Sequence, residues 1–310
     1  MGGIAVLLGC ATPPLESPEL VQAEDAAYPR SMELDDTPFF PDDTYYCGPA
    51  ALATVLVASG VGTSAERLID QVYLPERQGS LQNELLGAAR RADRVPYPLP
   101  ETLEAILEEI AAGHPVLVLQ NLGLEALPRW HYAVVVGYDL EEATVTLRSG
   151  EQREESLSLR RFERTWQRGE HWAVVIPPPG ETPASADADS WLNAVAELEA
   201  QERWQAAHDG YRAAIKRWPD RAEAWLGLGN IEYHTERYEQ ASQAFARAIE
   251  NDENLAAAHH NRAWALLAQD RIRDALEAAE RSELIAPEHP RYGRTVAAIQ
   301  AAAEERTTAE

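Results

Sequence analysis

A step of 34 residues runs through the C-terminal part of this chain. Trp191, Trp225 and His259 keep it, and so do Trp204, Tyr238 and Ile272. Ala207, Ala241 and Ala275 form a third column, and Tyr211, Phe245 and Ala279 a fourth. Pro219 and Pro287 stand two steps apart. Large residues early, small ones midway and proline at the end describe a helix pair that cannot bury its apolar face alone. Stacked neighbours bury it, and three units are about the minimum for a stable stack. A last helix, about Tyr292 to Glu305, closes the apolar end that the final unit leaves open. Gly227 and Gly229 sit inside a repeat with no strand before them, so they are packing residues and not a phosphate loop.

The part before the repeats follows another pattern. From about Phe39 to Pro177, helical periods come first: Cys47 to Ser59, Ser64 to Leu74, Leu81 to Ala92 and Glu101 to Ala112. Pro49 lies in the first turn of the first helix, Ser64 caps the second, and Gly113 closes the fourth. Short β-branched runs follow at Pro115–Leu119, His131–Tyr138, Thr144–Leu147 and Trp172–Ile176. Helices followed by an antiparallel sheet predict a segregated α+β domain. Pro177 to Asp189 is rich in Pro, Ala, Ser, Asp and Thr, and is expected to be a stiff, then flexible, linker.

Charge and cysteine usage narrow the function. Lys and Arg number 27 against 51 Asp and Glu, which argues against nucleic acid, because phosphates are held by Lys and Arg. A hydrophobic content of 45% with eight Trp excludes wholesale disorder. No apolar run reaches the ~18 residues of a membrane-spanning helix. With two cysteines, Cys10 and Cys47, neither a disulfide framework nor a four-cysteine zinc site is available. His259-His260 has no neighbouring cysteine and is expected at the surface or in a groove. No cofactor is called for.

Cys47 carries the chemistry. A helix N-terminus offers partial positive charge and free N–H groups, which favour a thiolate. The thiolate is the nucleophile, and the same amides can meet an oxyanion. The expectation is an activated Cys47 at neutral pH, with His131, at the start of a later strand, as acid and base.

The stretch Asp43-Thr-Tyr-Tyr-Cys-Gly-Pro-Ala-Ala-Leu-Ala53 resembles the nucleophile motif of the bacteriocin-processing, double-glycine-leader cysteine peptidases, a papain-like family. His131-Tyr-Ala-Val-Val-Val-Gly-Tyr-Asp139 resembles that family's histidine motif, in the same order. The resemblance makes Cys47 the nucleophile and His131 the general acid/base. The family's oxyanion glutamine has no counterpart: five and six residues before Cys47 stand Asp42 and Pro41. The backbone N–H of Cys47 takes that place, with Gln120 and Asn121 as further candidates. The family's orienting aspartate is missing too. Pairing the two strands about a turn near Glu141 brings residues 148–151 opposite His131, so Ser149 and Glu151 are the orienting candidates. Asp139 is excluded, because eight strand residues at about 3.3 Å each separate it from His131.

The 34-residue repeats resemble tetratricopeptide repeats, with Ala224-Trp-Leu-Gly-Leu-Gly-Asn-Ile-Glu-Tyr233 as a first helix. Leu7-Leu8-Gly9-Cys10-Ala11 resembles a bacterial lipoprotein processing box, in which Cys10 is the lipid anchor. A signal segment needs a basic start and about 7–15 apolar residues, and no Lys or Arg precedes Arg30, so the signal is expected to be truncated here.

The expected organisation is a lipoprotein-type terminus and tether over 1–34, a papain-like cysteine peptidase domain of helices packed on an antiparallel sheet over 35–177, a linker over 178–189, and an all-α tetratricopeptide solenoid over 190–310. The expected activity is cleavage of a peptide or protein substrate. The repeat groove recruits substrate or a protein partner, and the membrane is met only through the lipid, on the periplasmic side of a bacterial envelope. The alternative is a catalytically inactive binding scaffold.

Overall fold

The computed structural model describes residues 15–23, 27–42 and 45–309. Cys10 and its lipoprotein-like context lie outside the described residues. In chain order come α1 (Ser17–Gln22), β1 (Ser31–Glu33), α2 (Cys47–Ala58), α3 (Ala65–Val72), α4 (Gln82–Arg91), β2 (Tyr97–Pro98) and α5 (Leu103–Ala111). Then follow β3 (Val116–Asn121), β4 (Trp130–Asp139), β5 (Thr144–Ser149), β6 (Gln152–Ser158), α6 (Leu159–Gln167) and β7 (Ala173–Val175).

The sheet is antiparallel and ordered β2-β7-β3-β4-β5-β6, with β1 pairing the far end of β4. Side chains alternate across a strand, and here both faces are covered. Leu117, Leu119, Tyr132, Val134 and Val136 pack under α2, α3 and α4. Val116, Val118, Ala133 and Val135 pack on the other face, with residues of α5 and α6. Helix α2 is buried from Cys47 to Leu56, consistent with a helix apolar nearly all round. Gly137 admits β1: a Cβ there would lie 3.0 Å from the Met32 carbonyl oxygen.

Two expected loose segments are not loose. The described part of the stretch read as a tether packs on the first domain. The Glu16 carboxylate accepts from the Leu103 amide at 2.7 Å, the Ser17 amide donates to Glu163 at 3.1 Å, and β1 joins the sheet. The linker is held as well. The Ser185 amide and hydroxyl donate to Oε1 of Glu109 at 2.7 and 2.6 Å, while His114 Nδ1 lies 2.7 Å from Oε2. Composition marks such segments as polar and turn-rich. It does not reveal the buried glutamate that fixes one of them.

Glu109 is completely buried. Burial pushes its carboxyl up, but the bonds from His114 and Ser185 outweigh that and hold it below the ordinary 4.5. A lowered carboxyl stabilises the fold above its unfolded value and loses that contribution as pH falls through the folded value. Denaturant titrations should therefore show stability dropping below about pH 4.5, and Glu109→Gln should flatten that drop. An unchanged acid limb in the variant would assign it to other carboxylates.

The C-terminal part is all helical: α7 (Ala188–Ala200), α8 (Trp204–Arg217), α9 (Ala222–His234), α10 (Tyr238–Asn251), α11 (Ala256–Ala268), α12 (Ile272–Ile285) and α13 (Pro290–Ala309). The 34-residue columns fall on equivalent positions of three helix pairs, and α13 packs on the last of them. The small positions have a steric cause. A Cβ at Gly227 would lie 2.3 Å from the Tyr211 ring, and one at Gly229 2.4 Å from the Phe245 ring. Overpacking costs about 1–3 kcal/mol, more than the roughly 1 kcal/mol of helix propensity that alanine restores. Gly229→Ala should therefore lower the melting temperature. His259 and His260 are buried rather than at the surface, and each lines an open cavity, as the groove alternative has it: His259 Nε2 meets the Glu253 carbonyl, and His260 meets Thr295 and Arg291.

Candidate active site

Cys47 is the first residue of α2, and no side chain caps that helix. Its thiol is buried, and the backbone amides of Tyr132, Gly48 and Cys47 face the sulfur. The Cys-Gly pair is a packing requirement here. A Cβ at position 48 would lie 2.4 Å from Ser80 Oγ, so glycine lets the segment at Ser80 press on the helix start. The Tyr132 hydroxyl ties the same segment down, donating to the Ser80 carbonyl at 3.2 Å.

The electrostatics correct one expectation. Burial pushes the thiol above its ordinary 9.0; the three amides oppose this, and the Asp42 carboxylate adds to it. Cys47 therefore keeps its proton at neutral pH. Position 42, read as a lost amide donor, is also a nearby negative charge.

His131 lies on β4 beside Tyr132. Alternation turns Tyr132 towards α2, and turns His131 and its cross-strand partner Gln120 towards α6. The imidazole Nε2 lies 2.9 Å from Ser149 Oγ, and Nδ1 has no hydrogen-bond partner among the described residues. A bulge between Leu147 and Ser149 carries Ser149 to this position. Burial holds His131 below its ordinary 6.5, with Glu155 opposing and Arg129 assisting. At rest the pair is a neutral thiol and a neutral imidazole. No hydrogen bond joins the two side chains; Cys47 reaches β4 at the amide of Tyr132, one peptide from His131.

The structure thus brings His131 to Ser149 and Cys47 to the adjoining backbone. The other candidates lie elsewhere. Gln120 donates its amide to Thr165 Oγ1 at 2.6 Å, which commits it beneath α6. Asn121 Oδ1 accepts from the amides of Gly123 and Arg129, both at 2.9 Å, closing the β3–β4 loop. Glu151 is exposed in the tight β5–β6 turn, and the carboxylate that acts on His131 is Glu155. Asp139 caps the turn after β4, accepting from the Glu141 and Glu142 amides at 2.8 and 2.9 Å. Among the described residues no cluster of His, Cys, Asp and Glu is arranged to hold a metal ion. No helix among them is long and apolar enough to cross a membrane.

The Peptidase_C39 like family matches residues 21–173, and a tetratricopeptide repeat family matches 192–256. The first match begins inside the segment expected to be a tether. Among solved structures, the chain is similar to the first tetratricopeptide domain of Spaghetti (RPAP3) bound to an HSP90 peptide. That likeness has 15% identity, covers 38% of this chain and 93% of that one, and has a TM-score of 0.37. The Arabidopsis OM64 tetratricopeptide domain matches at 16% identity, 37% and 94% coverage, and a TM-score of 0.36. No curated protein matches the chain.

Proposed function

We propose that this chain, which pairs a Peptidase_C39-like domain with tetratricopeptide repeats, is a cysteine peptidase that attacks a peptide carbonyl with Cys47. The observation that carries the reading is the environment of the two side chains. Three amides surround the sulfur at an uncapped helix start, and Ser149 holds one imidazole nitrogen of the residue beside Tyr132. If Ser149 Oγ accepts from Nε2–H, Nδ1 is left as the basic nitrogen. The imidazole, which at rest bonds Ser149 on the α6 side, turns about its side-chain bonds to bring Nδ1 to the thiol and takes its proton as Sγ attacks. The oxyanion meets the Cys47 amide, in place of the family's glutamine. The Nδ1–H then protonates the departing amine, and water hydrolyses the thioester with His131 again as base. The repeats recruit the peptide or a protein partner. Cys10 anchors the enzyme by lipid at the bacterial envelope, facing the periplasm. Palmitate-analogue labelling that disappears in Cys10→Ser tests the anchor.

The raised thiol and the carboxylate at position 42 favour a second reading, an inactive binding scaffold. A pool of fluorogenic peptides separates the two. The peptidase cleaves members of the pool and loses cleavage with Cys47→Ala, whereas a scaffold leaves the whole pool intact. Asp42→Asn should lower the thiol pKa by removing a nearby negative charge, and so speed iodoacetamide labelling of Cys47 at pH 7–8. Peptide mapping distinguishes Cys47 from Cys10. An unchanged labelling rate would remove Asp42 from the site's electrostatics.

A further inference from the structure

His131 borders a second feature. On the α6 face lies an open cavity of about 400 Å³ lined by Arg129, Arg160, Arg161, Arg164 and Arg168, with Glu155 as the one carboxylate in its wall. This is a dense cluster in a chain with 27 basic and 51 acidic residues. Some arginines elsewhere pair with carboxylates, as Arg203 does with Asp93 at 2.6 Å and Arg247 with Glu250 at 2.7 Å, while others, such as Arg94 and Arg217, bond backbone carbonyls. None of the five cavity arginines forms such an ion pair among the described residues. Arg168 is instead anchored to the Asn121 carbonyl at 3.2 and 3.0 Å. Arg160, Arg164 and Arg168 recur at every fourth position along α6 and its C-terminal end, a spacing at which like charges repel. Unpaired guanidinium groups around a concavity are suited to carboxylates, which they bind through paired N–H donors.

A second observation selects the kind of ligand. The β3–β4 loop, which supplies Arg129 and Leu122 to the cavity wall, exposes Leu124 (72%) and Leu127 (76%) to solvent. These are two of the six large apolar side chains exposed among the described residues. The Leu124–Leu127 bridge and the Asn121 bonds hold the loop in shape. A free inorganic anion has no use for such an apolar rim. A peptide with both acidic and apolar side chains uses both surfaces.

We propose that this cavity and its rim form a docking site for an acidic peptide segment, with its carboxylates on the α6 arginines and its apolar side chains on the β3–β4 loop. The site is defined by binding and stands whether or not Cys47 cleaves what is bound.

The test uses the full chain and a fluorescein-labelled peptide of mixed Glu and Leu, with Gln-for-Glu and Ser-for-Leu versions as controls. Fluorescence anisotropy should show binding that weakens with salt, and at least tenfold weaker binding of each control. Arg160→Gln/Arg164→Gln should weaken binding of the Glu peptide at least tenfold, and Leu124→Ser/Leu127→Ser should weaken it separately. In the unmodified chain, peptide binding should raise the His131 pKa read by NMR, because carboxylates nearby favour the imidazolium. Equal affinity for the Glu and Gln peptides would overturn the proposal. So would binding of inorganic pyrophosphate without binding of the peptide, or a His131 titration that the bound peptide leaves unmoved.

Discussion

Cys47→Ala is expected to lower peptide cleavage by more than about 10³-fold while the chain stays folded, because the substitution removes the nucleophile. The side chain is small and buried at a helix start, and alanine fits the same space and the same helix. His131→Ala should cost about 10²–10⁴-fold, the usual contribution of a general acid/base. Ser149→Ala should cost less than His131→Ala, since it releases one end of the imidazole and leaves the basic nitrogen in place. Circular dichroism should remain unchanged in all three variants. Cleavage retained by Cys47→Ala in a folded chain would remove the nucleophile from the account.

Trp191→Ala is expected to cost about 3–5 kcal/mol, the range for deleting a buried aromatic side chain. Trp191 is fully buried. Its indole donates to the Gly210 carbonyl at 3.0 Å, and its ring lies 6.3 Å from that of Tyr97 in the first domain. Because Tyr97 and Trp191 belong to one continuous core, denaturant unfolding should move to lower concentration for both halves together. The Arg203–Asp93 pair and the Glu109–Ser185 bonds cross the same boundary. The sequence supports a stronger independence, in which a fragment from Ala184 to Glu310 folds alone. In the structure that fragment lacks Tyr97 and Glu109, so it should melt below the full chain. Separate transitions in Trp191→Ala, with the first half unmoved, would mean that the shared core carries little coupling.

What could be read beforehand follows from how each feature is encoded. The repeats are periodic, so Trp191, Trp225 and His259 declare their positions without any tertiary information. Helices α2 to α5 and strands β3, β4 and β5 carry apolar patterns long enough to recognise. Strand β6 does not, because Gln152–Ser158 is a mostly exposed edge strand whose charged residues blunt the edge. Missing β6 also hid α6 behind it, and with α6 the arginine cluster; the run Arg160-Arg161 with Arg164 and Arg168 was the available signal. The Ser149 partnership was legible from hairpin geometry. The state of Cys47 was not, since the helix-start argument covers the amides but not the degree of burial or the approach of Asp42.

The central claim, that His131 serves Cys47 as a base, is tested most directly by the pH dependence of Cys47 acylation by p-nitrophenyl acetate. Rates are followed by nitrophenolate release, and the acyl-cysteine is located by peptide mapping. With both groups neutral at rest, the active form is the one with unprotonated imidazole. Burial lowers that pKa, so the rate should rise through a value below 6.5 and stay level across neutral pH. In His131→Ala this limb should vanish, leaving a rise only at alkaline pH as the raised thiol itself ionises. A single alkaline limb above pH 9, identical in the unmodified chain and in His131→Ala, would contradict the account.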